Sequence, residues 1–172
     1  IQIMLKGTIK LPGDKSISHR VLILASISKG KSIIYNLSRC KDVQKTIRIL
    51  QSCGVTINKN NMGAITIEGC KKLTAEKKRF YCGNSGSTAR FMLAFLPTRG
   101  ISGTLYGDRS LSKRPMDRII NPLKKMGIQI HSKSKTLPIS FKASSPIAFN
   151  HTLKVPSAQV KTALILSSLA CN

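Results

Sequence analysis

Three segments of this 172-residue chain open in the same way. Small or hydroxyl-bearing residues come first, a basic residue follows about one turn later, and an apolar run follows that. The segments are DKSISHRVLILAS (14–26), GNSGSTARFMLAFL (83–96) and PSAQVKTALILSS (156–168). Aligned on one another, they bring Ser16, Gly86 and Ser157 into register, with Arg20, Arg90 and Lys161 behind them, at separations of 70 and 71 residues. A second element recurs at a similar distance. TIRILQSCGVTI (46–57) and IINPLKKMGIQI (119–130) each read as an amphipathic helix that stops at a glycine and leads into a strand. A period this long is a whole supersecondary unit, longer than the repeats that stack into solenoids. The expected fold is therefore built from two comparable units, with a third begun.

Periodicity fills in the units. Helices are expected over 16–28, 42–53, 86–96, 114–126 and 157–170. Strands are expected near 2–11, 32–36, 54–58, 64–68, 79–82, 102–106, 127–131, 137–141 and 151–155. GVTINKNNMGAITIEG alternates about the turn KNNMG and reads as a hairpin. Asp42 is the expected N-cap of its helix, and Pro115 sits where a first helical turn tolerates proline. Gly54 and Gly127 are placed to end their helices in the left-handed conformation. KKLTAEKKRF (71–80) reads as a basic, solvated connection between units. The class is α/β, in the α+β sense of mixed sheets, with βαβαββ units. Because the third unit stops after its helix, the chain reads as the N-terminal fragment of a longer one.

Composition narrows the function classes. An apolar content of 41% and a charged content of 20% fit a soluble globular protein with a real core. No apolar run approaches the ~20 residues a membrane-spanning helix needs, so no membrane partner is expected. Five cysteines without a C-x-x-C pair point to reduced thiols and a cytoplasmic protein. His19, His131 and His151 have no metal-ligand spacing, so no metal site is expected, and His19 and His131 read as ordinary helix and strand residues. The net charge of +23 raises nucleic acid as a partner. However, the lysines are dispersed, aromatics are 5% and tryptophan is absent, which leaves little to stack bases on. A basic nucleic-acid-binding module remains the alternative, and anionic small molecules fit better.

The repeated openings carry the chemistry. Glycine lets backbone approach a ligand closely, and a helix that starts there aims free N–H groups and partial positive charge at it. Three such N-termini with basic side chains make an anion-binding field. A P-loop is not present, because Asp14 separates Gly13 from Lys15 and the upstream glycine is misplaced. No G-x-G-x-x-G follows a strand, and no nucleophile elbow or clear base supports a Ser/His/Asp triad.

LPGDKSISHR (11–20), GNSGSTAR (83–90), GDRSLSKRPMDRI (107–119) and PSAQVK (156–161) together resemble the 5-enolpyruvylshikimate-3-phosphate synthase family, in that family's order and over nearly the whole chain. The sister family acting on UDP-N-acetylglucosamine, the other alternative, would carry G-A-K-N where GDKS stands, and its cysteine-bearing loop motif is not apparent. The resemblance implies an inside-out α/β barrel of repeated βαβαββ units, the third incomplete. Residues 1–13 would form a first strand and hinge associated with a second domain, and 14–172 a truncated first domain. It implies transfer of the enolpyruvyl group of phosphoenolpyruvate to the 5-hydroxyl of shikimate 3-phosphate, on the way to chorismate and the aromatic amino acids. No cofactor is implied, and the full-length enzyme would be a monomer.

By the same resemblance, Lys15 touches both substrates, and Lys15 and Arg114 are the catalytic cations. Ser16, Arg20, Ser157, Ala158 and Gln159 hold shikimate 3-phosphate. Gly86 and Arg114 hold phosphoenolpyruvate, with Gln159 facing it too. Ala158 departs from the second serine of some members, leaving only its backbone N–H to serve. Asn84, Ser87 and Arg90 shape the loop. Asp14 and Asp117 read as caps or ion-pair partners. The family's proton-transfer carboxylates fall in the later half, so this chain holds a half-site that is expected not to turn over alone.

Overall fold

A computed structural model describes residues 6–9, 11–61, 63–153 and 155–171. Two kinds of helix organise it. The helices α1 (Lys15–Ile27), α3 (Gly86–Phe95) and α5 (Ala158–Ser168) carry apolar residues all round, whereas α2 (Lys41–Ser52) and α4 (Asp117–Lys125) are amphipathic. A helix with no polar face is stabilised by cover on every side. α3 receives that cover in full, and α1 and α5 only in part, since Ile17, Leu24 and Ile165 are exposed. Accordingly α3 packs against α1, α2, α5 and β5 (Gly103–Tyr106), and every residue of it except Arg90 is buried. α2 and α4 need one covered stripe each: Val43, Ile47 and Leu50 on the first, Ile119, Ile120 and Leu123 on the second.

Two sheets supply the remaining cover. In the first, β1 (Lys31–Ile34), β2 (Thr56–Lys59) and β3 (Ile65–Glu68) run antiparallel in the order β1-β3-β2. In the second, β4 (Arg79–Tyr81), β5, β6 (Ile130–His131) and β7 (Ile139–Phe141) lie in the order β4-β5-β7-β6, with β4 parallel to β5 and the other pairs antiparallel. The order β5-β7-β6 matches β1-β3-β2. Register puts Phe80 opposite Leu105 and Leu105 opposite Ile139, one buried row across three strands. Side chains alternate across a sheet, so such a row faces the core as a unit.

Several expectations change. Of the first strand expected over 2–11, residues 2–5 and 10 lie outside the described residues, and 6–9 and 11 form no regular element. The described part of 151–155 forms no strand either. The helix expected from 114 begins at Asp117, after a short 3₁₀ turn at Leu111–Lys113. Proline crowds the residue before it out of the helical region, and Arg114 is indeed extended, at φ −79° and ψ 133°. Asp42 is not the N-cap of α2. Cys40 holds that place without a side-chain cap bond, and Asp42 lies in the first turn, where a carboxylate still favours the helix dipole. Gly54 and Gly127 have φ of +84° and +83°, as their helix stops require.

Candidate active site

Capping chemistry decides where the three apolar helices start. Asp14 accepts from Ile17 N–H at 2.7 Å, Ser85 from Thr88 N–H at 3.1 Å, and Ser157 from Val160 N–H at 3.3 Å. The three caps are therefore Asp14, Ser85 and Ser157, and the register of Ser16, Gly86 and Ser157 shifts by up to two residues. Small and hydroxyl residues look alike in an alignment, but only the one whose oxygen reaches the third N–H starts the helix. As a result Arg20, Arg90 and Lys161 occupy different positions along their helices, and they do different things.

Arg20, half-buried, donates from Nε to Thr162 Oγ1 at 3.1 Å and so joins α1 to α5. Arg90 folds back over its own helix start, donating to the Gly86 carbonyl at 3.2 Å and the Pro115 carbonyl at 3.3 Å. Burial first, then the neighbouring Arg114 and Arg118, push its pKa down. A cluster of guanidiniums that repel one another is a site in want of an anion. Lys161 is exposed and borders an outer groove with Phe149, Leu153 and Ile165.

Four of the expected site residues, Gly86, Arg114, Gln159 and Lys15, converge on the first turn of α3. An added Cβ on Gly86 would lie 2.5 Å from Arg90 Nη1 and 3.5 Å from Arg114 Nη1, so the bare backbone here leaves room beneath two guanidiniums. Arg114 donates from Nη2 to Asn84 Oδ1 in the same loop. Gln159 donates to Ser87 Oγ at 2.9 Å, tying the first turn of α5 to that of α3. Lys15 pairs with Asp42 at 3.2 Å, the one ion pair found among the described residues, and the Asp42 carbonyl accepts from the Thr88 hydroxyl at 3.2 Å. Lys15, Gly86, Arg114 and Gln159 are thus each within one or two contacts of a single helix N-terminus. Ser16 is exposed on α1 close to Lys15, and Ala158 is the exposed first residue of α5. Ser157 uses its oxygen as a cap and keeps its hydroxyl hydrogen free of that bond.

Other residues were invisible to sequence reasoning in these roles. Asp42 holds Lys15, Arg118 adds to the guanidinium cluster, and Thr46 and Thr88 bond at 2.9 Å below it. Asp42 and Thr46 lie one turn apart on α2, but nothing in the spacing links them to Lys15 or Thr88, which they meet through space. Asp14 does serve as a cap, and Asp108 does similar work, accepting from Leu111 N–H at 2.8 Å. His131 is exposed on β6, whereas His19 is fully buried and its pKa is lowered to about 4, mainly by burial. Cys53 and Cys82 are pushed up to about 11 and about 12 by burial, so both stay as thiols. Among the described residues no group of His, Cys, Asp or Glu could hold a metal ion, and no helix is long and apolar enough to cross a membrane.

Comparison with known proteins follows the same lines. A family model described as EPSP synthase (3-phosphoshikimate 1-carboxyvinyltransferase) matches residues 1–172. The chain is 44% identical over 169 residues to a 3-phosphoshikimate 1-carboxyvinyltransferase of Oceanobacillus iheyensis, covering 96% of this chain and 39% of the relative. It is 43% identical to the protein of that name from Lactococcus lactis, with the same coverage. Among solved structures, the EPSP synthase of Acinetobacter baumannii superposes with a TM-score of 0.90 at 34% identity, over 96% of this chain and 38% of that one. The chain spans about 39% of the length of the curated relatives it matches.

Proposed function

The chain belongs to the EPSP synthase family, and we propose on that footing that the protein transfers the enolpyruvyl group of phosphoenolpyruvate to the 5-hydroxyl of shikimate 3-phosphate, releasing phosphate. The observation that carries this reading is the start of α3: a glycine backbone under the Arg90 and Arg114 guanidiniums, with Lys15 and Gln159 tied to the same turn. The reaction joins two polyanions. The 5-hydroxyl oxygen bonds to the enol carbon that bears the phosphate, and a proton goes to its methylene. The tetrahedral centre then expels phosphate, on which charge builds, as the new methyl group gives up a proton. Cations fixed in advance lower that barrier because they need not reorganise as charge develops. Free N–H groups at the buried N-terminus of α3 add to the field.

Within this reading, Arg114 and the Gly86 backbone receive phosphoenolpyruvate. Arg20, Ser16, Ser157 and the Ala158 N–H receive shikimate 3-phosphate, and Gln159 lies between the two. Lys15, released from Asp42 when substrate arrives, meets both. The described half of the site is cationic, and the groups that move protons are assigned to residues outside 1–172. We further assign the strand order shared by the two sheets to repeated βαβαββ units of an inside-out barrel, residues 1–13 to a hinge, and the product to the route to chorismate.

The test is direct. The full-length protein should form enolpyruvylshikimate 3-phosphate and phosphate in equal amounts, and the 172-residue chain alone should not turn over. Arg114→Ala should lower kcat/KM by about 10²–10³-fold, the loss typical of a donor aimed at developing charge. Gly86→Ala should raise KM for phosphoenolpyruvate, because its methyl displaces the Arg90 guanidinium from the seat. Unchanged kinetics in both variants would overturn the placement of the seat.

A further inference from the structure

A buried histidine and two buried threonines run beneath the cationic site without touching it. His19 of α1, Thr46 of α2 and Thr88 of α3 are each fully shielded from solvent. His19 Nδ1 lies 2.7 Å from Thr46 Oγ1, Thr46 Oγ1 lies 2.9 Å from Thr88 Oγ1, and Thr88 Oγ1 lies 3.2 Å from the Asp42 carbonyl and 2.7 Å from Ser85 Oγ. A threonine hydroxyl has one hydrogen, and this sets the direction of the chain. Thr88 gives its hydrogen to Ser85 Oγ or to the Asp42 carbonyl, so Thr46 donates to Thr88 and Nδ1–H donates to Thr46. Nε2 is left as a bare nitrogen with no hydrogen-bond partner among the described residues, the ring lying edge to face with Phe91 of α3 at 6.1 Å between centroids.

Such an arrangement costs stability. A buried nitrogen without a partner is expensive, and so is a threonine hydroxyl in a helix core where an apolar group would pack as well. The chain, however, links three helices, and it forks at Thr88 onto two working positions. One branch is the Asp42 backbone, whose side chain holds Lys15. The other is the α3 cap, whose next two residues are Gly86 and Ser87. Packing alone lets one apolar helix slide or rotate against another by fractions of an ångström, whereas a directed hydrogen-bond chain does not.

We propose that His19, acting through Thr46 and Thr88, is a positioning residue that sets the start of α3 against Lys15 and so fixes the phosphoenolpyruvate seat. This role rests on the function proposed above. It assigns no contact between these three side chains and either substrate.

Thr46→Val keeps the shape of the side chain and cuts the chain in the middle. In the full-length protein it should raise KM for phosphoenolpyruvate about tenfold while kcat moves less than about threefold, since misplacing a seat by part of an ångström weakens what it binds. Thr46→Ser keeps the hydroxyl and should return KM to within about twofold of the parent value. A role confined to stability would lower the melting temperature of Thr46→Val and leave KM where it was, and that result would overturn the proposal. Should Thr46→Val fail to fold, His19→Asn against His19→Leu reads the same link. The Asn amide nitrogen can stand where Nδ1 stood, so KM should rise in the Leu variant alone; equal KM values in the two would overturn the proposal. A parent protein with no transfer activity would overturn the proposed function and this role with it. An active parent whose KM is indifferent to Thr46→Val would overturn this role alone.

Discussion

α3 and α5 open alike in sequence and end in different surroundings. Both begin at a serine cap, both follow it with small residues and a cation, and both are apolar on all faces. In α3 the cation folds inward onto two backbone carbonyls and everything else is buried. In α5 the cation is exposed, and Ile165 and Leu169 remain about half exposed, at 55% and 48%. The two helices pack on each other, and Gln159 reaches Ser87 across the contact. The comparison teaches that the opening motif makes a helix N-terminus, and the neighbours decide which cations stand over it. α3 has Arg114 over its first turn, extended before Pro115, whereas the Arg20 guanidinium that reaches α5 bonds to Thr162, beyond the first turn.

The contrast can be broken or sharpened by measurement. Phe95 is fully buried in α3, so Phe95→Ala should cost about 3–5 kcal/mol in urea unfolding, while Ile165→Ala on the open face of α5 should cost about 0.5 kcal/mol or less. An Ile165→Ala cost close to that of Phe95→Ala would show the α5 face covered and remove the contrast.

A smaller effect comes from acid. His19, packed against α3, has its folded pKa lowered from 6.5 to about 4. Above about pH 6.5 the histidine is neutral folded or unfolded and contributes no pH dependence. As pH falls from 6.5 toward 4, the unfolded chain takes up a proton that the folded one refuses, so up to about 3 kcal/mol of stability is lost. Asp42, Lys15 and Arg20 also act on this ring, so the measurement is the difference between parent and His19→Asn at pH 7 and pH 4.5. An identical loss in both would assign the acid sensitivity elsewhere.

The smallest effect concerns the caps. Ser85→Ala should cost about 1–2 kcal/mol, because its buried oxygen also serves Thr88, and the half-buried Ser157→Ala about 1 kcal/mol or less. Equal costs by thermal unfolding would mean that burial adds nothing to a cap in this chain.

Much of the architecture was legible from residue pattern, for reasons that are local. The helix stops at Gly54 and Gly127 follow from one dihedral preference, and the hairpin of β2 and β3 from alternation about a turn. The errors were local rules meeting a stronger neighbour. Asp42 has the chemistry of a cap, but Lys15 lies across the interhelix gap and takes its carboxylate instead. Pro115 is acceptable in a first turn, yet its ring bars Arg114 from being helical, and the same extension carries the guanidinium to Gly86. Of the site, the motifs pointed to Lys15, Gly86, Arg114 and Gln159, and missed Asp42, Thr46, Thr88 and Arg118, whose partners are remote in the chain.

By itself, then, the order of residues determined which stretches are helix or strand, where small residues leave backbone open, and that cations outnumber acids beside those openings. Those properties depend on dihedral preference, periodicity and charge within a turn or two. Tertiary structure alone decided which carboxylate Lys15 would meet, which cation turned inward, and which helix start the rest would face. These outcomes depend on distances between groups tens of residues apart, and those distances exist only once apolar helices have had to find cover.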